Sequence, residues 1–410
     1  MTVMTANPYE NIDITSRSFK ADPFPFYAYL RAEAPVFKVN VPYPLKRPVW
    51  VISRYDDVLA ALKDERFAKD KQNGMTPEQL GKQPYTPAAF KALERTMLDL
   101  DAPDHTRLRG LVHKAFTPRL IEQMRERIDR ISNELLDEME RKGEANLIRD
   151  YALPIPLTII AEILGIPKED THKFHGWAAK LLAIQSPISA LLATPSLLIF
   201  MRYLRKLFKE RRAEPQDDLI TALVQAEEAG DKLSENELLA MVVILLIAGH
   251  ETTVNLIGTG TMELLRHPEQ LARLQENPAL IKPAVEELLR YVTPIETATE
   301  RYAREDITIA GTTITKGEMV FAALASANRD ENVFSNPDIL DITRDPNRHL
   351  SFGQGAHYCV GAPLARLEGS IAIHNLVQRF PNLRLATSAE QLVWRKGMTL
   401  RGLEALPVKV

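Results

Sequence analysis

From Ser234 the chain carries a capping box, with Glu237 three residues on, followed by the apolar run LLAMVVILLIA, Leu238–Ala248. A cap of that kind opening onto so long an apolar run predicts one long helix from Ser234 past Glu263. Helical periodicity recurs elsewhere. In 121–143 the apolar positions Ile121, Met124, Ile128, Ile131, Leu135 and Met139 step by three or four, and Gly143 is placed to end the helix. Residues 195–212 read as an amphipathic helix with a strongly basic face, and 280–292 as a further helix. Strand-like segments are short and few: 48–53, 306–311 and 318–324. The expected fold class is mainly α with small β-sheets.

Composition narrows the function classes. With 51 basic and 54 acidic residues the formal net charge is −3, which gives no polyanion-binding signature and argues against a nucleic-acid partner. The N-terminal residues MTVMTANPYENID have no cationic or apolar segment of the kind a signal peptide needs. Leu238–Ala248 is shorter than the roughly 18 residues a membrane-spanning helix requires. A single cysteine, Cys359, excludes an intramolecular disulfide and any multi-cysteine metal site. The expectation is a soluble cytoplasmic protein.

Three constellations carry chemistry. The first is SFGQGAHYCVG, 351–361, where Cys359 sits among Gly353, Gly355 and Gly361 just before a helical stripe with Pro363 in its first turn. Amides at a helix start favour a thiolate, and a thiolate so held suits a single-point metal ligand; alone, the cysteine also reads as a small buried hydrophobe. The second is AGHETT, 248–253. Gly249 in mid-helix costs about 1 kcal/mol against alanine, which implies close approach to the backbone, and Glu251 with Thr252 adds an acid and a hydroxyl. His250–Glu251 opens a zinc-protease HExxH pattern that Val254 breaks, and by itself the stretch equally reads as a polar notch. The third is Glu287 and Arg290, three apart, a spacing usual for surface ion pairs.

Taken in order, AGxET, ExxR and FxxGxHxCxG resemble cytochrome P450, the haem-thiolate monooxygenases, and the segments 101–119, 341–353 and 361–368 are similar to soluble bacterial members. The likeness begins near Asp22. It implies one domain over 22–410 after an N-terminal arm of residues 1–21. It further implies haem b with Cys359 as axial ligand of the iron. By the same resemblance His105, Arg109, Arg301, His357 and His349 face the haem propionates, and Ala248, Gly249, Phe352, Gly353 and Gly361 border the cofactor. Glu287 and Arg290 become a buried structural pair. The family often has an arginine where this chain has Ile339, which leaves open what else satisfies Glu287.

The reaction implied is insertion of one atom of O2 into a C–H or C=C bond, with Thr252 hydrogen-bonding oxygen and Glu251 relaying protons. An H2O2-driven peroxygenase and a non-catalytic haem sensor or carrier are the alternatives; the acid–alcohol pair argues against both. Electrons from NAD(P)H are expected through a ferredoxin or flavodoxin with its reductase, docking near Arg107, Lys114, Arg119 and Arg366, on a protein expected to be a monomer. The family's pocket regions correspond to Ile244, Leu245, Ala248, Ile295, Glu296 and Met398, together with Leu181, Leu182, Ile184, Gln185, Leu191 and Leu192. Their mainly apolar content implies a fatty acid, steroid, terpenoid or polyketide.

Overall fold

A helix that is apolar on every side must be surrounded by protein, and Glu235–Arg266 is: from Leu238 to Leu264 most of its side chains are buried. The computed structural model describes residues 9, 12–42, 47–83, 88–91, 93–182, 187–228 and 233–410. The expected capping box is present, Ser234 accepting from the Glu237 amide. Among the described residues this is the one helix long and apolar enough to cross a membrane; 67% of its apolar window is buried inside the protein. The short apolar run thus belongs to a 32-residue element whose length serves the core.

The helices that pack on it most extensively are Pro154–Leu164, Ile281–Val292 and Ala362–Arg379. The last crosses closely at Gly369, where a Cβ would come within 2.8 Å of Leu256 Cδ2. The periodic stretch 121–143 is divided into Pro118–Gln123 and Arg125–Lys142, and Gly143 ends it with φ 73°. Ile281–Val292 matches the expected helix, and 195–212 lies within the longer Pro187–Ala213.

The sheets are small. Five strands run in the order Val36–Val41, Arg47–Ile52, Met319–Ala322, Arg301–Ala303, Phe67–Ala68. The second and third pair in parallel, Trp50 opposite Val320; the other pairings are antiparallel. Ile307–Ile309 and Thr312–Ile314 form a hairpin. Glu144–Asn146, Pro407–Lys409 and Arg384–Leu385 form a third sheet.

The stretch expected as an N-terminal arm is tied to this body. Ile14 and Phe19 are buried with Phe26 and Tyr27, and Lys20 is only 1% exposed. Its ammonium lies 2.5 Å from Glu296 Oε2, and Tyr27 donates to the other oxygen of that carboxylate.

Candidate active site

The glycine loop folds as its sequence requires. Gly353 and Gly355 adopt φ +67° and +75°, and a Cβ on Gly355 would stand 2.9 Å from the Leu62 carbonyl oxygen. A side chain there would be both strained and obstructed. The Cys359 amide donates to Phe352 O at 2.9 Å, and Gly361 caps the helix Ala362–Arg379 with Pro363 in its first turn. Burial pushes the Cys359 thiol up; the N–H groups of Gly361 and Ala362, with Arg109 and Arg366, pull the other way. The helix start therefore favours the thiolate as expected, and desolvation outweighs it until a cation meets the sulfur.

Cys359 opens into a cavity of ≈ 220 Å³ between the central helix and the cysteine loop. Ala248, Gly249 and Thr252 line it from the helix; Phe352, Gly353, His357 and Gly361 line it from the loop; His105, Arg109 and Arg301 close one side. A Cβ on Gly249 would meet Ile160 only in ordinary contact at 3.7 Å, so protein packing does not require this glycine. What its absent side chain provides is open space on the cavity wall.

The cationic side is under-satisfied. The rings of His105 and His357 stack at 4.0 Å, and the buried His105 Nε2 has no partner. Burial, with His105, Lys69 and Arg301 close by, holds His357 down to about 2, so it is neutral. Arg301, lowered to about 10 by burial, reaches only the Leu62 and Thr299 carbonyls, each at 3.4 Å. Arg109 donates to Tyr358 O at 2.6 Å. Glu368 is the one acidic residue lining the cavity among the described residues. Two guanidiniums and an orphaned ring nitrogen beside a single sulfur fit a group that brings a metal and its own carboxylates.

Several expected residues lie elsewhere. His349 is turned away from the cavity: its Nε2 sits 3.1 Å from Glu286 Oε2, and its Nδ1 accepts from the Ser351 amide. Glu296 is buried under Lys20 and Tyr27, and Met398 packs on that same cluster, so neither lines the cavity. Ile244, Leu245, Ala248 and Ile295 do line it. Leu191 and Leu192 point to solvent at 73% and 74% exposure. Ile184 and Gln185, and the side chains of Leu181 and Leu182, lie outside the described residues. Glu251 is off the cavity wall, paired with Arg395 Nη1 at 2.9 Å, and burial raises its pKa. Thr252 donates its hydroxyl hydrogen to Ala248 O at 2.9 Å.

Glu287 and Arg290 are fully buried, joined by two 2.8 Å hydrogen bonds. The Ile339 side chain is 58% exposed and contributes only its carbonyl. Arg344 takes the open place on Glu287. Arg366 spans Glu286 at 2.7 and 2.9 Å, and Arg107 pairs with Glu237, so these two cations, expected to receive an electron donor, are held in ion pairs.

Known proteins resemble this chain along most of its length. Residues 193–391 match the family described as cytochrome P450. The polyketide biosynthesis cytochrome P450 PksS of Bacillus subtilis (strain 168) is 46% identical, over 96% of this chain and 97% of its own.

The chain belongs to the cytochrome P450 family.

The crystal structure of P450BioI in complex with hexadec-9Z-enoic acid ligated acyl carrier protein superposes with a TM-score of 0.85 at 42% identity, covering 96% of this chain and 100% of that one. The myxobacterial cytochrome P450 CYP267B1 in complex with myristic acid gives 0.89 at 43% identity, covering 97% and 98%. This P450 is therefore a monooxygenase that uses haem b and O2, acts on a hydrophobic substrate and receives NAD(P)H electrons through a separate redox partner. Sequence reasoning missed Glu368 on the cavity wall, and also Arg344 and Arg395, the partners of Glu287 and Glu251 away from it. Each was legible only as one charge among many.

Proposed function

We propose that this P450 oxidises a long apolar chain of the fatty-acyl or polyketide kind. The observation that carries this is the cavity wall facing the cysteine loop, which Ile244, Leu245, Ala248, Ile295, Met97 and Leu98 make apolar. The relatives support the same class, since one is named for polyketide biosynthesis and two solved neighbours hold fatty acyl groups.

In this reading Cys359 ligates the haem iron, and Arg109, Arg301, His105 and His357 receive the propionates. Bound there, haem supplies reductive O2 activation and transfer of one oxygen atom to the substrate. Thr252 is the residue that manages protons at the cavity wall. Because its hydrogen is given to Ala248 O, its oxygen is left to accept a hydrogen bond from a proton donor at the cavity wall. Glu251 supplies protons from the solvent side once its carboxylate leaves Arg395. The electron donor is a ferredoxin or flavodoxin, drawn to the exposed Lys114 and Arg119. The protein acts as a cytoplasmic monomer.

Thr252→Ala tests the assignment. Product per NADPH is expected to fall about tenfold, with peroxide release rising to match and substrate affinity unchanged. An unchanged product yield would remove Thr252 from the proton path.

A further inference from the structure

The helix Pro187–Ala213 has an outward face that the fold leaves uncovered. Its inner side is conventional: Leu197, Phe200, Leu204, Leu207 and Phe208 are buried in the main core. Its outer side is divided. Leu191, Leu192, Leu198 and Ile199 are exposed at 73%, 74%, 38% and 49%, four of the seven large apolar side chains exposed among the described residues. One to four turns further on, Arg202, Arg205, Lys206 and Lys209 are exposed. Positions 191, 195, 198, 202, 205 and 209 step by three and four, so the apolar and basic halves form one continuous stripe. Scattered apolar residues need no explanation, but four on one half of a helix mark an interaction surface.

The stripe is placed in relation to the cavity. Arg205 is paired with Glu235 at 2.7 Å, in the first turn of the central helix. Ile244, which lines the cavity, lies about 14 Å further along the same helix. The basic charge is also local, because the chain as a whole is net −3.

We propose that this stripe docks an acidic carrier protein bearing the substrate as a thioester. The proposal rests on the acyl or polyketide reading above and specifies how that chain is presented. A carrier protein matches both halves: acidic side chains meet Arg202 and Lys209, and an apolar patch covers Leu191 and Leu192. The solved neighbour that holds an acyl group on a carrier protein favours this occupant over a membrane surface.

The test uses the haem-loaded enzyme with a fluorescently labelled acyl carrier protein carrying a tetradecanoyl chain, read by anisotropy, against free tetradecanoic acid, read by the haem spectrum. The wild type is expected to bind the carrier-borne chain more tightly than the free acid, with affinity falling as salt rises. Arg202→Glu/Lys209→Glu and Leu191→Ser/Leu192→Ser are each expected to weaken carrier binding about tenfold and to leave the free acid within about twofold. Free acid bound with no gain from the carrier, or carrier binding unmoved by both variants, overturns the docking surface and leaves the substrate class standing. Sedimentation with phosphatidylglycerol vesicles that is lost in the leucine variant, with carrier binding unchanged, reassigns the stripe to a lipid surface. Failure of both the acid and the carrier-borne chain to bind removes the substrate class, and the docking proposal with it.

Discussion

Arg344 Nε lies 3.1 and 3.2 Å from the two carboxylate oxygens of Glu287, completing a cage that Arg290, Asn347 Nδ2 and the Asp341 amide also serve. A fully buried carboxylate is tolerable only when its lone pairs are met by charge and hydrogen bonds. Arg344 comes from the same loop as Ile339, five residues on, and both arginines also bond the Ile339 carbonyl. The guanidinium that the local motif lacks is therefore supplied by a neighbour along the chain.

Removing it leaves Glu287 with one cation where the site was built for two. Arg344→Leu is expected to destabilise the protein by about 3 kcal/mol and to lower haem retention, because the same loop continues into Leu350–Cys359. Ile339→Arg, on an exposed position, is expected to change stability by less than about 0.5 kcal/mol. Equal losses in the two variants, measured by thermal unfolding, would show that Arg344 is an ordinary surface residue.

Glu368 carries a pH signature. It is fully buried on the helix Ala362–Arg379, its Oε2 has no partner, and burial pushes its pKa from 4.5 up to about 8, against a hydrogen bond from Thr253. The native state thus holds a proton that the unfolded chain releases near its ordinary value. Stability from this group is complete below that value and is lost as pH rises from about 4.5 towards 8. Glu368→Gln should flatten this dependence, its melting temperature gaining on the wild type between about pH 5.5 and 7.5. The infrared carbonyl stretch of a protonated acid is expected at neutral pH and should vanish in the variant. A wild type without that band would mean that Glu368 is ionised and partnered.

The buried pair Lys20–Glu296 gives a third expectation. Both side chains are 1% exposed, whereas Arg17, three residues before Lys20, and its partner Glu404 are 53% and 42% exposed. Lys20→Met strands a buried carboxylate and is expected to cost about 3–5 kcal/mol; Arg17→Ala should cost no more than about 1 kcal/mol. The double variant Lys20→Met/Glu296→Gln should recover part of the loss. Because the Glu296 amide and carbonyl bond Thr399 and Ala325, the single variant should also loosen the wall that carries Ile295, seen as weaker substrate binding. Chemical denaturation and spectral titration of the same proteins separate the two effects.

Much of this molecule was legible in its residues. The capping box at Ser234 and the unbroken apolar periodicity fixed the central helix, because cap and pattern act within a few residues of one another. The glycines around Cys359 announced a tight loop for the same local reason, and the structure places Gly353 and Gly355 at positive φ. Charge pairing was not legible, because a carboxylate's partner is decided by whichever cation the folded chain brings within reach. Glu296 read as a pocket residue and lies beneath Lys20; His349 read as a cavity residue and meets Glu286. Arg344 and Glu368 read as ordinary charges until folding buried the first against Glu287 and the second against the central helix. Sequence determined which segments are helices and which loop holds the sulfur, since short-range sterics and hydrogen bonds set both. Tertiary structure decided which charges lose their water, and that desolvation selects the residues able to hold a proton, an ion pair or a cofactor's carboxylate.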